Sequence, residues 1–236
     1  MDTFRPFSAL HAGALCAIAC CIALAVFLAR RRGPGPLPGA VERAVGWAYV
    51  AAWATTFTFL AFPPLAEPAK TYPLQLCHWT GLAAAAYLIT RWGPLRPIVY
   101  FWGLALCTQA LITPTLVEGP AIWPFWFFWG THGIIVGVAL YDVIALGYRP
   151  ALRDYAIACG AAAAYFAVVL PLDLAFGWNY GFVGAGKPEV PTLVDVLGPW
   201  PERLGIIVPL VAGVMFLLLL PWTLARRRRA GLESNA

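Results

Sequence analysis

An all-α, polytopic membrane bundle of seven transmembrane helices, N-terminus out and C-terminus in, is the fold this chain predicts. Three observations carry it: composition, seven long apolar stretches and the placement of basic residues. Of 236 residues, 61% are hydrophobic and 11% charged, whereas a soluble domain averages about 45–50% apolar and about 25% charged. A core that apolar needs a polar skin, and 16 basic plus 11 acidic side chains do not supply one. With a mean hydropathy of +0.74, the composition excludes a soluble globular protein, an intrinsically disordered chain and a nucleic-acid binder.

A span needs about 20 largely apolar residues to cross about 30 Å of hydrocarbon. Seven stretches qualify, at 8–29, 44–62, 74–90, 98–113, 123–147, 155–176 and 204–225, so residues 1–236 read as a single transmembrane domain. The breaks at 33–39, 63–73, 93–97 and 187–201 are rich in proline and glycine. Alternation of period two is absent, which argues for helices and against a barrel. The first stretch is a retained span and not a signal peptide, because Arg30, Arg31 and Arg32 follow the apolar run instead of preceding it. With these spans, twelve of the 16 basic residues fall on one side, and Arg5, Lys70, Lys187 and Arg203 on the other. The positive-inside rule then puts the N-terminus outside, as an odd number of spans requires. The net charge of +5 thereby becomes a mark of topology.

Polar side chains inside spans are costly, so their positions inform. Gln75, Cys77 and His78 open the third span; Gln109 closes the fourth. Thr131 and His132 follow the aromatic run of the fifth, and Asp173 with Asn179 ends the sixth. Four spans thus aim polar groups at the same outer third. Asp142, near the inner end, is expected to pair with Arg149 or Arg153, and His11 to face the headgroups. Trp123, Trp126 and Trp129 suit an interfacial belt, and Cys16, Cys20 and Cys21 act as small apolar packing. Gly133-x-x-x-Gly137 has the small-residue spacing that packs helices together. No Gly-rich phosphate loop, zinc-binding spacing or nucleophile elbow is present, and no cofactor or metal is expected.

A thiol becomes a nucleophile when a neighbouring base takes its proton. Cys77 and His132 share the outer depth, which permits a Cys–His pair. Asp173 or Gln109 could orient the imidazole, and Asn179 or Thr131 could donate to an oxyanion. The same groups could instead bind a headgroup or polar solute without chemistry, and a structural membrane subunit is a further reading.

Pro73-Leu-Gln-Leu-Cys77-His-Trp79 resembles the third-span signature of the YwaF family of integral membrane proteins. Tyr100-Phe-Trp-Gly103 with Gln109-Ala-Leu-Ile-Thr-Pro114 is similar to that family's fourth span, and Phe128-Trp-Gly-Thr-His132-Gly133 to its fifth. Trp178-Asn-Tyr180, Gly186-Lys-Pro188, Pro191-Thr-Leu-Val-Asp195 and Leu197-Gly-Pro-Trp-Pro201 resemble its last outer loop. The resemblance covers about residues 44–220. The chain departs from the pattern at Gln75, where many members carry histidine, and has His78 nearby. The YwaF family is distantly similar to the transmembrane protein 164 acyltransferases, which move acyl chains between phospholipids. The resemblance implies Cys77 as nucleophile, His132 as base, membrane lipids as partners and a bacterial cytoplasmic (inner) membrane location. Gln75, His78, Gln109, Thr131, Asp173 and Asn179 are the candidate substrate-binding residues.

Overall fold

The computed structural model describes residues 3–33, 39–62, 68–186 and 193–233. The break at 34–38, the residues 63–67 and the last-loop stretch 187–192, with Lys187, lie outside them. The described chain is all-α and built on seven long helices: α1 (Ala9–Arg32), α2 (Ala40–Leu60), α3 (Leu76–Thr90), α4 (Gly93–Ile112), α5 (Trp123–Ile144), α6 (Leu152–Phe176) and α7 (Leu204–Glu233). Five of them, α1, α4, α5, α6 and α7, are long and apolar enough to cross a membrane. The other two fall short for different reasons. Glu42, Arg43 and the threonines at 55, 56 and 58 dilute the apolar character of α2. The 15 residues of α3 rise only about 22 Å at 1.5 Å each.

Local chemistry sets the helix ends. Ser8 caps α1 by accepting from the backbone N–H of His11. The first turn of α5 carries Pro124, where its missing N–H costs nothing. Gly177 stops α6 in the left-handed region at φ 70°. The arginine runs at 30–32 and 226–228 continue α1 and α7 beyond their apolar lengths, because arginine is a good helix former that snorkels to the interface.

The centre of the bundle is α3, held between α2 and α5; α4 packs across α3, α5, α6 and α7, while α1 lies on α5. Gly133 and Gly137 let Ile18 and Ile22 of α1 approach that helix: a Cβ at Gly137 would sit 3.2 Å from Ile22 Cγ1. This is the close approach that small residues allow in membranes. Gly137→Leu is expected to push α1 away and cost about 1–3 kcal/mol, read as a lower unfolding temperature in detergent.

Two expectations about polar residues need correction. His11 does not face the headgroups: it is buried, beside the rings of Phe4 and Trp129. Its Nδ1 accepts from Phe7 N at 2.9 Å, so Nε2 carries the proton and donates to Leu111 O at 2.8 Å. That bond ties α1 to the end of α4. Asp142 does not pair with Arg149 or Arg153. Arg96 grips it with two bonds of 2.8 Å, and Tyr87 Oη donates to it at 2.7 Å. Arg149 instead donates to the carbonyls of Val143 and Tyr148 and stacks over Trp222. Beside this pair, Glu42 accepts from Arg91 at 2.8 Å and from Tyr141 at 2.6 Å. The result is one arginine-rich end, with the apolar bundle running away from it.

Candidate functional site

At the opposite end the helices diverge around a cavity of about 950 Å³. Its wall comes from the C-terminal parts of α2 and α4 and the N-terminal parts of α3, α5 and α7. Each of those segments lies at the end of its helix far from the arginines, so antiparallel packing alone brings them together. The walls are mostly apolar, and six of the eight candidate residues line them: Gln75, Cys77, His78, Gln109, Thr131 and His132.

Cys77 and His78 are the second and third residues of α3. The short α3 begins at cavity depth because Pro73 and the extended backbone of Gln75 stop the helix from starting earlier. The Cys77 thiol rests against the backbone N–H groups of Cys77 and His78 at the positive end of the helix, where His78 N–H also donates to Gln75 O at 3.0 Å. His132, two turns into α5, is buried, and its Nδ1–H donates to Phe128 O at 2.8 Å. A neutral imidazole held that way keeps its lone pair on Nε2, and Nε2 has no protein partner among the described residues. His78 stands edge-on to Phe57 with ring centres 4.7 Å apart, and its buried Nδ1 is unpartnered. The two histidines lie within electrostatic reach of each other. Among the described residues no hydrogen bond joins the Cys77 sulfur to either imidazole.

Asp173 and Asn179 are not among the residues that line the cavity; both hold the loop beside it. Asp173, fully buried, accepts from Tyr180 N at 2.9 Å. Asn179 accepts from Gly184 N at 3.0 Å, and Gln75 Oε1 from Gly181 N at 3.1 Å. Tyr180 Oη donates to Pro68 O at 2.7 Å, and burial pushes its phenol up to about 12, so it stays a donor. Gly181 takes a left-handed φ of 62°, the conformation glycine adopts at least cost. The turn delivers Gly181 and Phe182 to the cavity wall. Arg203 and Trp200 brace it by donating to Gly184 O and Val183 O. Asp173→Ala is expected to leave Tyr180 N unpaired at a cost of about 1–3 kcal/mol, seen as faster amide exchange over 178–184.

Sequence reasoning missed the irregular part of α4. Residues Trp102–Cys107 form a π-helical turn, a feature often found at functional sites. Thr108 Oγ1 donates to Gly103 O, five residues back, at 3.1 Å. The extra residue per turn rotates Cys107 onto the cavity wall, within electrostatic reach of Cys77. Gly103 is the one local sign of it: its bare Cα lets α4 approach Ile135 of α5.

A model of the TMEM164 family matches residues 5–220. No curated protein and no solved structure matches the chain.

Proposed function

The chain belongs to the TMEM164 family, and from that premise we propose that it is a cysteine–histidine acyltransferase acting on phospholipid acyl chains. The observation that carries this reading is one largely apolar cavity lined by both Cys77 and His132, whose Nε2 has no protein partner among the described residues. In the first half-reaction His132 Nε2 takes the thiol proton, and the sulfur attacks the ester carbonyl of a phospholipid. The tetrahedral intermediate expels the glycerol oxygen, which leaves with the proton from His132 as a lysophospholipid. In the second, His132 deprotonates the hydroxyl of an acceptor lysophospholipid. That oxygen attacks the thioester, and the thiol is restored with the same proton.

The ordered motifs resemble those of YwaF-type members, which favours a bacterial cytoplasmic membrane, and the charge distribution supports the cavity facing the outer leaflet. Labelled phospholipid given to purified protein in detergent should label Cys77 through a hydroxylamine-sensitive thioester, seen by mass spectrometry of the Cys77 peptide. Acyl transfer without that adduct would remove Cys77 from the mechanism. The missing Cys77–imidazole hydrogen bond favours a second reading, a lipid or polar-solute binder without chemistry. Under it, the protein binds lipid, and no adduct forms.

A further inference from the structure

Threonines in these helices mostly spend their hydroxyls on their own backbone. Thr56, Thr80 and Thr90 donate to the carbonyl four residues earlier at 2.7–2.8 Å, and Thr113 does so at 3.3 Å. This is the usual fate of a helical threonine in an apolar setting. Thr131 lines the cavity, is 2% exposed, and makes no such bond: its Oγ1 is buried without a partner. Directly behind it stands Tyr49 of α2, 7% exposed, whose Oη is also unpartnered. The two hydroxyls face each other without a well-formed hydrogen bond. Tyr49 Oη reaches this position only because residue 81 is glycine: a Cβ there would fall on the hydroxyl. Thr131 shares the cavity with Cys77, and Tyr49 lies within electrostatic reach of it.

Buried hydroxyls are nearly always satisfied; Thr131 Oγ1 can serve Tyr49 Oη as acceptor, which leaves the proton of Thr131, at the cavity wall, in want of an acceptor. The chemistry of that acceptor is constrained. Among the lining residues described, Glu118 is the one charged side chain and none is cationic, so a phosphate finds no counter-charge among them. A neutral hydroxyl donor suits an uncharged acceptor. We propose that Thr131 Oγ1 donates to the carbonyl oxygen of a lipid acyl ester. Tyr49 is the positioning residue: it donates to Thr131 and so turns that proton towards the cavity. This rests on the lipid-acyl reading above, and it deepens that reading by naming the group that fixes the ester.

The test is binding first and turnover second. Purified full-length protein is titrated with a diacyl phospholipid and with its diether analogue, which lacks the carbonyl, in detergent. The wild type should bind the ester about fivefold to tenfold more tightly, the scale of one good hydrogen bond. Thr131→Val, which keeps the shape, should abolish the difference, and Tyr49→Phe should reduce it. Neither variant should lower the unfolding temperature by much, because the Tyr49 and Thr131 hydroxyls make no well-formed hydrogen bond to the rest of the protein. Equal affinity for ester and ether in the wild type overturns the subsite. So does a large loss of stability in both variants, which would make the hydroxyls structural. Where wild type transfers acyl chains, Thr131→Val should raise KM about fivefold to tenfold, in step with the lost affinity, and lower kcat about 100-fold. Ester preference without any Cys77 adduct would keep the subsite and overturn the acyltransferase.

Discussion

Cys77→Ala is expected to abolish acyl transfer, and His132→Ala to lower it by about 10²–10⁴-fold, the range for losing a general acid–base group. The two changes remove different parts of one sequence of events. Without the sulfur, no covalent intermediate forms and no second half-reaction follows. Without the imidazole, the thiol keeps its proton, and the acceptor hydroxyl attacks unaided. The double variant should therefore be no worse than Cys77→Ala, since residues acting as a unit are not additive. His132→Gln is a sharper probe than alanine, because it fills the pocket beside Phe128 while carrying no base. Transfer from labelled phospholipid to a lysophospholipid, followed by chromatography, reads all four proteins. Turnover within tenfold of wild type in both single variants would sink the catalytic reading.

Asp142→Ala is expected to destabilise the bundle by about 3–5 kcal/mol, the cost of breaking a buried ion pair from one side. Asp142 is 2% exposed, while the Arg96 side chain keeps 28% of its exposure. Removing the carboxylate leaves a cation half in the protein and also strips Tyr87 Oη of its acceptor. Arg96→Ala should cost a similar amount, because it leaves the carboxylate itself buried and unpaired. Arg153→Ala, by contrast, should stay within about 0.5 kcal/mol. Denaturation in detergent micelles separates these outcomes. A large loss on changing Arg153, with none on changing Arg96, would contradict the pairing described.

Most of what was legible in the chain follows from the solvent. Lipid imposes long apolar helices and puts proline and glycine between them. The ends of α1, α5 and α6 follow from the residues beside them: Ser8, Pro124 and Gly177. The depth of Cys77, Gln109 and His132 could be counted at a fixed rise per residue, which is why six of eight candidates meet at one cavity. What depth does not contain is azimuth. Asp173 and Asn179 have the right depth but point at the loop beside the cavity, where backbone N–H groups needed acceptors. Asp142 was matched to basic residues near in sequence, whereas its partner Arg96 arrives from a different helix.

By itself, then, the sequence determined the environment, the helices, the charged end and the shared depth of Cys77 and His132, since these depend on composition and one-dimensional spacing. The tertiary structure alone decided which polar groups are spent and which are free. The π-turn rotates Cys107 to the wall, Gly81 admits the Tyr49 hydroxyl, and Thr131 keeps a proton that its neighbours give to their own backbone. Each is a relation between helices, set by close packing in three dimensions, and no single stretch of chain carries it.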